Sequence, residues 1–238
     1  MVELAFDRVL LHAPDQQRAK AAYERFLGRR IGFEPRVPNG AVQLGLPSWA
    51  SRPGLVFSAQ DYEGAVRLLN RRGLPLAPVD DARRTAAAVV NGLLLGVVER
   101  SSMEQAAGDD APAGEIGAID HVVVASTHLD RVVATFGGRL GLDLRLEQRV
   151  LKVAKQLFFR CQNTVLEVLV KPALPGKADE VWGVAWQTGD IEAAHRRLTC
   201  SGVPVSEIRE GRKPGTYVAT VKDPALATPT LLIEHRER

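Results

Sequence analysis

The sequence has few of the features that mark membrane or nucleic-acid-binding proteins. Aromatic residues make up only 5% of its 238 residues, and its 31 Lys and Arg residues are scattered rather than grouped in one block. A nucleic-acid partner is therefore not expected, although the net charge is +3. No apolar run reaches the roughly 20 residues that cross a bilayer, so no membrane partner is expected either.

Cysteine and recognisable targeting or catalytic motifs are also scarce. The two cysteines, Cys161 and Cys200, form no metal-type pair and are expected to be reduced packing residues. The segment from Met1 to Asp7 lacks the basic and apolar regions of a signal peptide, which predicts a cytoplasmic protein. We find no nucleotide-binding glycine motif and no nucleophile motif.

The most informative segment runs from Gly117 to Val170 and predicts a β-α-β-β-β unit. It opens with a β-branched run that carries His121 on an apolar face. A helical pattern over 130–141 follows and ends in glycine. Three short strands come next, and the last of them carries Glu167 between apolar neighbours.

Related units recur along the chain. The segment 55–65 and the segment 184–194 share a strand followed by an Asp-x-Glu helix start, and residues 6–46 give a shorter version of the first unit. Such internal similarity predicts two domains of two modules each. We expect an N-terminal domain over 1–100, a linker over 101–116 and a C-terminal domain over 117–238.

Three stretches of the C-terminal half carry a family resemblance: Ile119-Asp120-His121-Val122-Val123, Arg139-Leu140-Gly141-Leu142 and Val165-Leu166-Glu167-Val168-Leu169. They resemble a module of the vicinal oxygen chelate superfamily, which includes glyoxalase I, bleomycin-resistance proteins, methylmalonyl-CoA epimerases and extradiol dioxygenases. The resemblance implies an α+β fold in which tandem paired βαβββ modules form two open, cup-shaped mixed sheets. It also implies divalent-metal ligands on the first and last strand of each module.

The ligand positions implied by the resemblance differ between the two halves. In the C-terminal half they hold His121, Glu167, Gly183 and Glu234. In the N-terminal half they hold Arg8, Gln43, Gly54 and Glu99, which indicates a degenerate site, since a guanidinium cannot ligate a cation. The predicted metal ligands are therefore His121, Glu167 and Glu234, and the two glutamates are the candidate catalytic groups.

A physical argument supports a metal without settling the question. Glu167 and Glu234 both lie among apolar residues, where an ionised carboxylate is costly unless it is paired or bound to a cation. One imidazole and two carboxylates suit Mn²⁺, Fe²⁺, Co²⁺, Zn²⁺ or Mg²⁺. The alternative is a metal-free cup, in which His121 pairs with Glu167 and Glu234 faces water.

The expected ligand is a small molecule. A basic, glycine-bracketed loop supplies the candidate substrate-binding residues Arg212, Lys213 and Tyr217, although a plain solvated loop is the alternative. The sequence thus favours a metal-assisted lyase or isomerase that acts on a small oxygenated metabolite. A non-catalytic small-molecule-binding protein and an extradiol dioxygenase remain alternatives, and a homodimer is a further option because open sheets leave edge strands to cover.

Overall fold

The computed structural model describes residues 3–100, 115–150, 154–172 and 178–236. Within these ranges each half of the chain forms one open mixed sheet with helices beside it. This confirms the predicted α+β architecture of tandem glyoxalase-like modules. The predicted linker lies outside the described residues, apart from Glu115 and Ile116 at its end.

The N-terminal half contains two helices and seven strands among its described residues. They are β1 (Ala5–Leu11), α1 (Gln16–Leu27), β2 (Arg36–Val37), β3 (Gly40–Leu44), β4 (Gly54–Ala59), α2 (Tyr62–Arg71), β5 (Ala77–Asp80), β6 (Thr85–Val90) and β7 (Leu93–Glu99). The strand order is β2-β3-β1-β4-β7-β6-β5.

The C-terminal half forms an eight-stranded sheet in its described part. Its elements are β8 (Ile116–Ser126), α3 (Leu129–Val132) with a π-helical continuation (Val133–Arg139), β9 (Asp143–Val150), β10 (Ala154–Arg160), β11 (Val165–Val170), β12 (Glu180–Thr188), α4 (Ile191–Cys200), β13 (Arg209–Glu210), β14 (Thr216–Val221), a short 3-10 helix (Pro224–Leu226) and β15 (Thr230–His235). The strand order is β13-β14-β15-β12-β8-β11-β10-β9.

The two sheets have the same topology. The first strands of the two modules pair antiparallel at the centre of each sheet, β1 with β4 and β8 with β12. Each of these strands also pairs in parallel with the last strand of its own module. The N-terminal sheet has one strand fewer because its first module contributes only β2 and β3 after its helix, as the shorter sequence of that module predicts.

Local sequence signals explain where the helices begin. Asp15, Asp61 and Asp190 each accept a hydrogen bond from the backbone N–H three residues ahead, at 2.9, 2.8 and 2.8 Å. This is the N-cap geometry that short acidic side chains favour. The helix starts predicted at Asp61 and Asp190 are therefore confirmed. No helix in the described ranges is long and apolar enough to cross a membrane.

Aromatic side chains join the two halves. Trp186 of β12 is fully buried, and its ring centroid lies 5.5 Å from that of Phe26 and 6.2 Å from that of Tyr23, both on α1. Tilted and edge-to-face contacts of this kind add to the gain from burying apolar surface. The buried core is therefore continuous between the N-terminal and the C-terminal half.

Candidate functional site in the C-terminal cup

A cavity of about 570 Å³ opens on one face of the C-terminal sheet. Its apolar walls are formed by Val123, Phe158, Val165, Leu169, Trp182, Val218, Leu231 and Ile233. Its polar side chains are Asp120, His121, Gln148, Gln156, Glu167, Arg209, Arg212, Lys213, Thr216 and His235. An apolar pocket with a few converging polar groups is the usual form of a small-molecule site.

A β-bulge in β8 places two consecutive side chains at this cavity. Across the β8–β12 ladder, His121 pairs with Ala185, but the next residue of β12, Trp186, pairs with Ile119. Asp120 is therefore the extra residue of a bulge, which breaks the alternation of side chains between the two faces. As a result, both Asp120 and His121 line the cavity.

Asp120 holds two imidazole rings. Its carboxylate oxygens lie 2.6 Å from Nδ1 of His121 and 2.5 Å from Nε2 of His235. Burial alone would raise the pKa of Asp120, but hydrogen bonds and charge interactions with the two histidines outweigh it and hold that pKa below its usual range. An ionised carboxylate only accepts hydrogen bonds, so each ring donates an N–H to it.

Glu167 continues this line of polar groups. Its Oε2 lies 3.4 Å from Nε2 of His121, and its Oε1 accepts a 2.6 Å hydrogen bond from Gln156. Gln156 in turn accepts a hydrogen bond from Arg212 at 3.3 Å. The structure thus brings the predicted residues His121 and Glu167 together and links them to one residue of the basic loop.

The structure does not bring Glu234 to the same place. In β15 the side chains of Leu231, Ile233 and His235 line the cavity, so Glu234 points to the opposite face. There it accepts a 3.1 Å hydrogen bond from the backbone N–H of Ile191 at the start of α4. The convergence of His121, Glu167 and Glu234, on which the predicted metal site depends, is therefore not observed.

Sequence reasoning missed two residues of this line, Asp120, which reaches the cavity only through the bulge, and His235, the neighbour of Glu234. Spacing from Gly183 pointed to Glu234, whereas the pairing of β15 with β12 places the odd-numbered residues on the cavity side. A shift of one residue moves a side chain to the other face of a strand. The alternating run Leu231, Ile233, His235 is the one sequence signal that could have found His235.

Gly183 is a packing position in the structure. A Cβ added there would lie 2.9 Å from the carbonyl oxygen of Pro229, closer than real Cβ contacts allow. A side chain at this position would therefore require β12 to move away from the segment before β15. Trp182, the residue before it, is 40% exposed and lines the cavity.

The basic loop is divided between the two faces of the sheet. Arg212 and Lys213 line the cavity, together with Arg209. Tyr217 lies on the other face, where the guanidinium of Arg236 stacks 4.0 Å from the centre of its ring. Of the three candidate substrate-binding residues, the structure places Arg212 and Lys213 at the cavity and Tyr217 away from it.

The equivalent position in the N-terminal sheet holds an ion-pair cluster. Arg8 lies 2.6 Å from Asp7, its neighbour in β1, and 3.9 Å from Glu34. Glu99 instead pairs with Arg84 at 3.3 Å. Arg8 and Glu99, which occupy two of the implied ligand positions of this half, therefore pair with other residues, and Asp7 and Glu34 supply the negative charge beside Arg8.

The side chains in the cup fit a divalent cation poorly. A catalytic metal usually has three protein ligands, whereas the predicted set retains only His121 and Glu167 on the cavity side. Across the described ranges of the chain, no three His, Cys, Asp or Glu side chains are grouped as a metal site requires. We therefore derive no catalytic step through a metal.

Comparison with solved structures places the fold in a known class. A mutant of 4-hydroxymandelate synthase from Streptomyces coelicolor superposes with a TM-score of 0.70 at 13% identity, over 100% of this chain and 95% of that one. A xylose isomerase-like TIM barrel/4-hydroxyphenylpyruvate dioxygenase fusion protein superposes with a TM-score of 0.68 at 15% identity, over 99% of this chain and 49% of that one. At these identities the likeness shows the fold alone.

A family model matches part of the C-terminal half. Residues 118–225 match the model of the Glyoxalase/Bleomycin resistance protein/Dioxygenase superfamily, so this chain carries a domain of that superfamily. Methylmalonyl-CoA epimerase from Mycobacterium tuberculosis is also similar, at 18% identity with a TM-score of 0.46, over 54% of this chain and 93% of that one. No curated protein sequence matches the chain.

Proposed function

We propose that the C-terminal cavity binds a small oxygenated molecule with an apolar body and an anionic group, and that Glu167 exchanges a proton with it. The reaction would be of the lyase or isomerase type. The observation that carries this proposal is the line of polar contacts from Gln156 through Glu167, His121 and Asp120 to His235, in which each step is a hydrogen bond except the 3.4 Å approach of Glu167 to His121.

The pairing of His121 with Glu167 supports a role in proton transfer. Because Asp120 accepts the Nδ1–H of His121, a neutral imidazole has its lone pair on Nε2, which faces Glu167 at 3.4 Å. One proton between these two basic atoms suits a group that takes a proton and returns it. Glu167 would accept a proton from a carbon next to a carbonyl group and later return it, and Nε2 of neutral His121 would accept a hydrogen bond from the protonated carboxyl group in between.

The lining of the cavity supports the ligand class. Arg209, Arg212 and Lys213 bring three positive charges to one part of the wall, and a carboxylate or phosphate is the group they would pair with. The apolar strands around His121 would contact the body of the ligand. A bound molecule of this kind would also exclude water from Glu167, which would strengthen the electrostatic interactions of its carboxylate.

A non-catalytic binding protein is the second candidate, and the mostly apolar wall of the cavity favours it. An extradiol dioxygenase is less well supported, because its site resembles two histidines and one carboxylate. The position expected for the second histidine is Gly183, where a Cβ would meet the backbone of Pro229. His235 lines the cavity together with His121 and Glu167, but within the described ranges these side chains are not grouped as metal ligands.

The test separates binding from chemistry. Ligand-observed NMR with a panel of aryl and alkyl carboxylates, 2-oxo acids and phosphate esters should detect binding that the double variant Arg212→Ala/Lys213→Ala weakens at least tenfold. In D₂O, a bound carbon acid should incorporate deuterium with the unsubstituted protein and not with Glu167→Gln. The matched control is Glu234→Gln, whose carboxylate faces the other way and should leave both results unchanged.

Each outcome has a defined meaning. Binding without deuterium incorporation across the panel would refute the enzyme and leave the binding protein. No binding of any anionic probe would refute both. Stoichiometric metal in untagged protein after incubation with Mn²⁺, Fe²⁺, Co²⁺, Zn²⁺ or Mg²⁺, lost in Glu167→Gln, would restore the metal-assisted mechanism.

A further inference from the structure

A side chain from the N-terminal half is bonded to the strand that carries His121. Asn39, in the turn between β2 and β3, donates from Nδ2 to the carbonyl oxygen of Ile119 at 2.7 Å. Its Oδ1 accepts from the N–H of the same residue at 2.9 Å. One carboxamide therefore satisfies both backbone groups of Ile119, the residue directly before the bulge that contains Asp120.

Within its own half, the carbonyl oxygen of Ile119 also accepts a 3.3 Å hydrogen bond from Oγ1 of Thr164, but its N–H has only Asn39 as a side-chain partner among the described residues. The neighbouring strand β11 begins opposite His121, where Val165 pairs with it, so β11 does not reach Ile119. Ile119 is 1% exposed, and a buried backbone group without a hydrogen bond is strongly unfavourable. The side chain of Asn39 thus takes the place that a further residue of β11 would occupy beside Ile119.

The same arrangement occurs in the opposite direction. Asn163, in the turn between β10 and β11, accepts from the N–H of Phe6 and donates to its carbonyl oxygen, both at 2.8 Å. Phe6 precedes a bulge at Asp7 in β1, as Ile119 precedes the bulge at Asp120. Each half therefore holds the bulge of the other half with one asparagine.

The consequences of these equivalent contacts differ. In the N-terminal sheet the bulge leads to Arg8, which is buried and paired with Asp7. In the C-terminal sheet it leads to Asp120 and His121, which line the cavity. Only the contact made by Asn39 acts on residues of the candidate site.

We propose that Asn39 is a positioning residue for the C-terminal site, and that it fixes the bulge that directs Asp120 and His121 into the cavity. The N-terminal half, whose own equivalent site holds an ion-pair cluster, is then part of the site's scaffold. This inference rests on the proposed function only in taking the cavity to be the functional site. It does not depend on which ligand binds or which reaction follows.

The experiment compares Asn39→Ala with Asn163→Ala, which removes the equivalent pair of backbone contacts from the other half and also the 3.0 Å hydrogen bond from Nδ2 of Asn163 to the carbonyl oxygen of Asn39. The readout is the pair of ¹⁵N signals from the His121 ring, assigned with His121→Gln, together with the thermal unfolding midpoint. Both alanine variants should lower the midpoint. Asn39→Ala should shift the ring signals more than Asn163→Ala, because only Asn39→Ala removes the side chain bonded to Ile119 before the bulge that orients Nδ1 toward Asp120.

A milder substitution keeps the test valid if Asn39→Ala does not fold. Asn39→Asp retains an acceptor for the Ile119 N–H but loses the donor to its carbonyl, so it should shift the same signals by a smaller amount. Unchanged ring signals in a folded Asn39 variant, or an equal shift in Asn163→Ala, would overturn the inference. Shifted signals in a protein that binds no anionic probe would support the positioning role and refute the proposed function.

Discussion

The opposite placement of Glu167 and Glu234 gives a sharp prediction about stability. Glu234 is 8% exposed and accepts the backbone N–H of the buried Ile191 at 3.1 Å. Glu234→Ala would leave that N–H without its partner. Because a hydrogen bond to a charged group contributes about 1.5–3 kcal/mol, we expect the free energy of unfolding to fall by about that amount.

The expected change is measurable by thermal unfolding. For a protein of this size, 1 kcal/mol corresponds to about 2–4 °C, so Glu234→Ala should lower the unfolding midpoint by about 3–12 °C. Glu167→Ala is the matched comparison, because it removes a carboxylate that borders the cavity. Glu167 is 9% exposed and accepts a 2.6 Å hydrogen bond from Gln156, so the midpoint of Glu167→Ala should also fall, by an amount within the same range.

A second measurement in the same variants tests the site. The ¹⁵N signals of the His121 ring should shift in Glu167→Ala, whose carboxylate lies 3.4 Å from Nε2, and should stay in place in Glu234→Ala. Circular dichroism would follow unfolding, and NMR would follow the ring. A shift of the His121 signals in Glu234→Ala without loss of stability would refute the placement of Glu234 on the far face.

Three further predictions concern single residues. Cys200 is exposed and should react with iodoacetamide in the folded protein, whereas Cys161, whose pKa burial raises to about 12, should react only after unfolding, as mass spectrometry would show. Burial would raise the pKa of Glu34, but the charge of Arg8 and hydrogen bonds from two other arginines outweigh it and hold that pKa below its usual value. The stabilising contribution of Glu34 is therefore present above its unfolded pKa of about 4.3 and is lost as the pH falls through its folded pKa. In Glu34→Gln the free energy of unfolding should decrease less steeply between neutral and acidic pH than in the unsubstituted protein. Gly183→Ala should lower stability by about 1–3 kcal/mol in denaturant unfolding, because its Cβ would meet the carbonyl oxygen of Pro229, and unchanged stability would contradict that contact.

Local signals in the sequence were sufficient for much of the architecture. The helix starts at Asp61 and Asp190 could be predicted because an N-cap requires only a short acidic side chain and the next three residues. The strand carrying His121 and the strand carrying Glu167 could be predicted from their β-branched and apolar composition. The tandem arrangement followed from comparing such segments along the chain.

The sequence was a poorer guide to the face of the sheet on which a side chain lies. Glu234 was correctly placed in the last strand, but its orientation depends on how β15 pairs with β12 and β14. A shift of one residue in that register exchanges Glu234 with His235 at the cavity. Sequence spacing between distant modules does not fix the register to one residue, because the intervening loops can differ in length.

The sequence by itself determined the modules, because their strands and helix starts depend on patterns within a few residues, and their repetition along the chain determined the two sheets. Only the tertiary structure decided which side chains meet in the C-terminal cup. The bulge at Asp120 is a feature of the pairing between β8 and β12. The contact that holds Ile119 comes from Asn39, 80 residues earlier in the chain, and composition and periodicity carry no information about a contact over that distance.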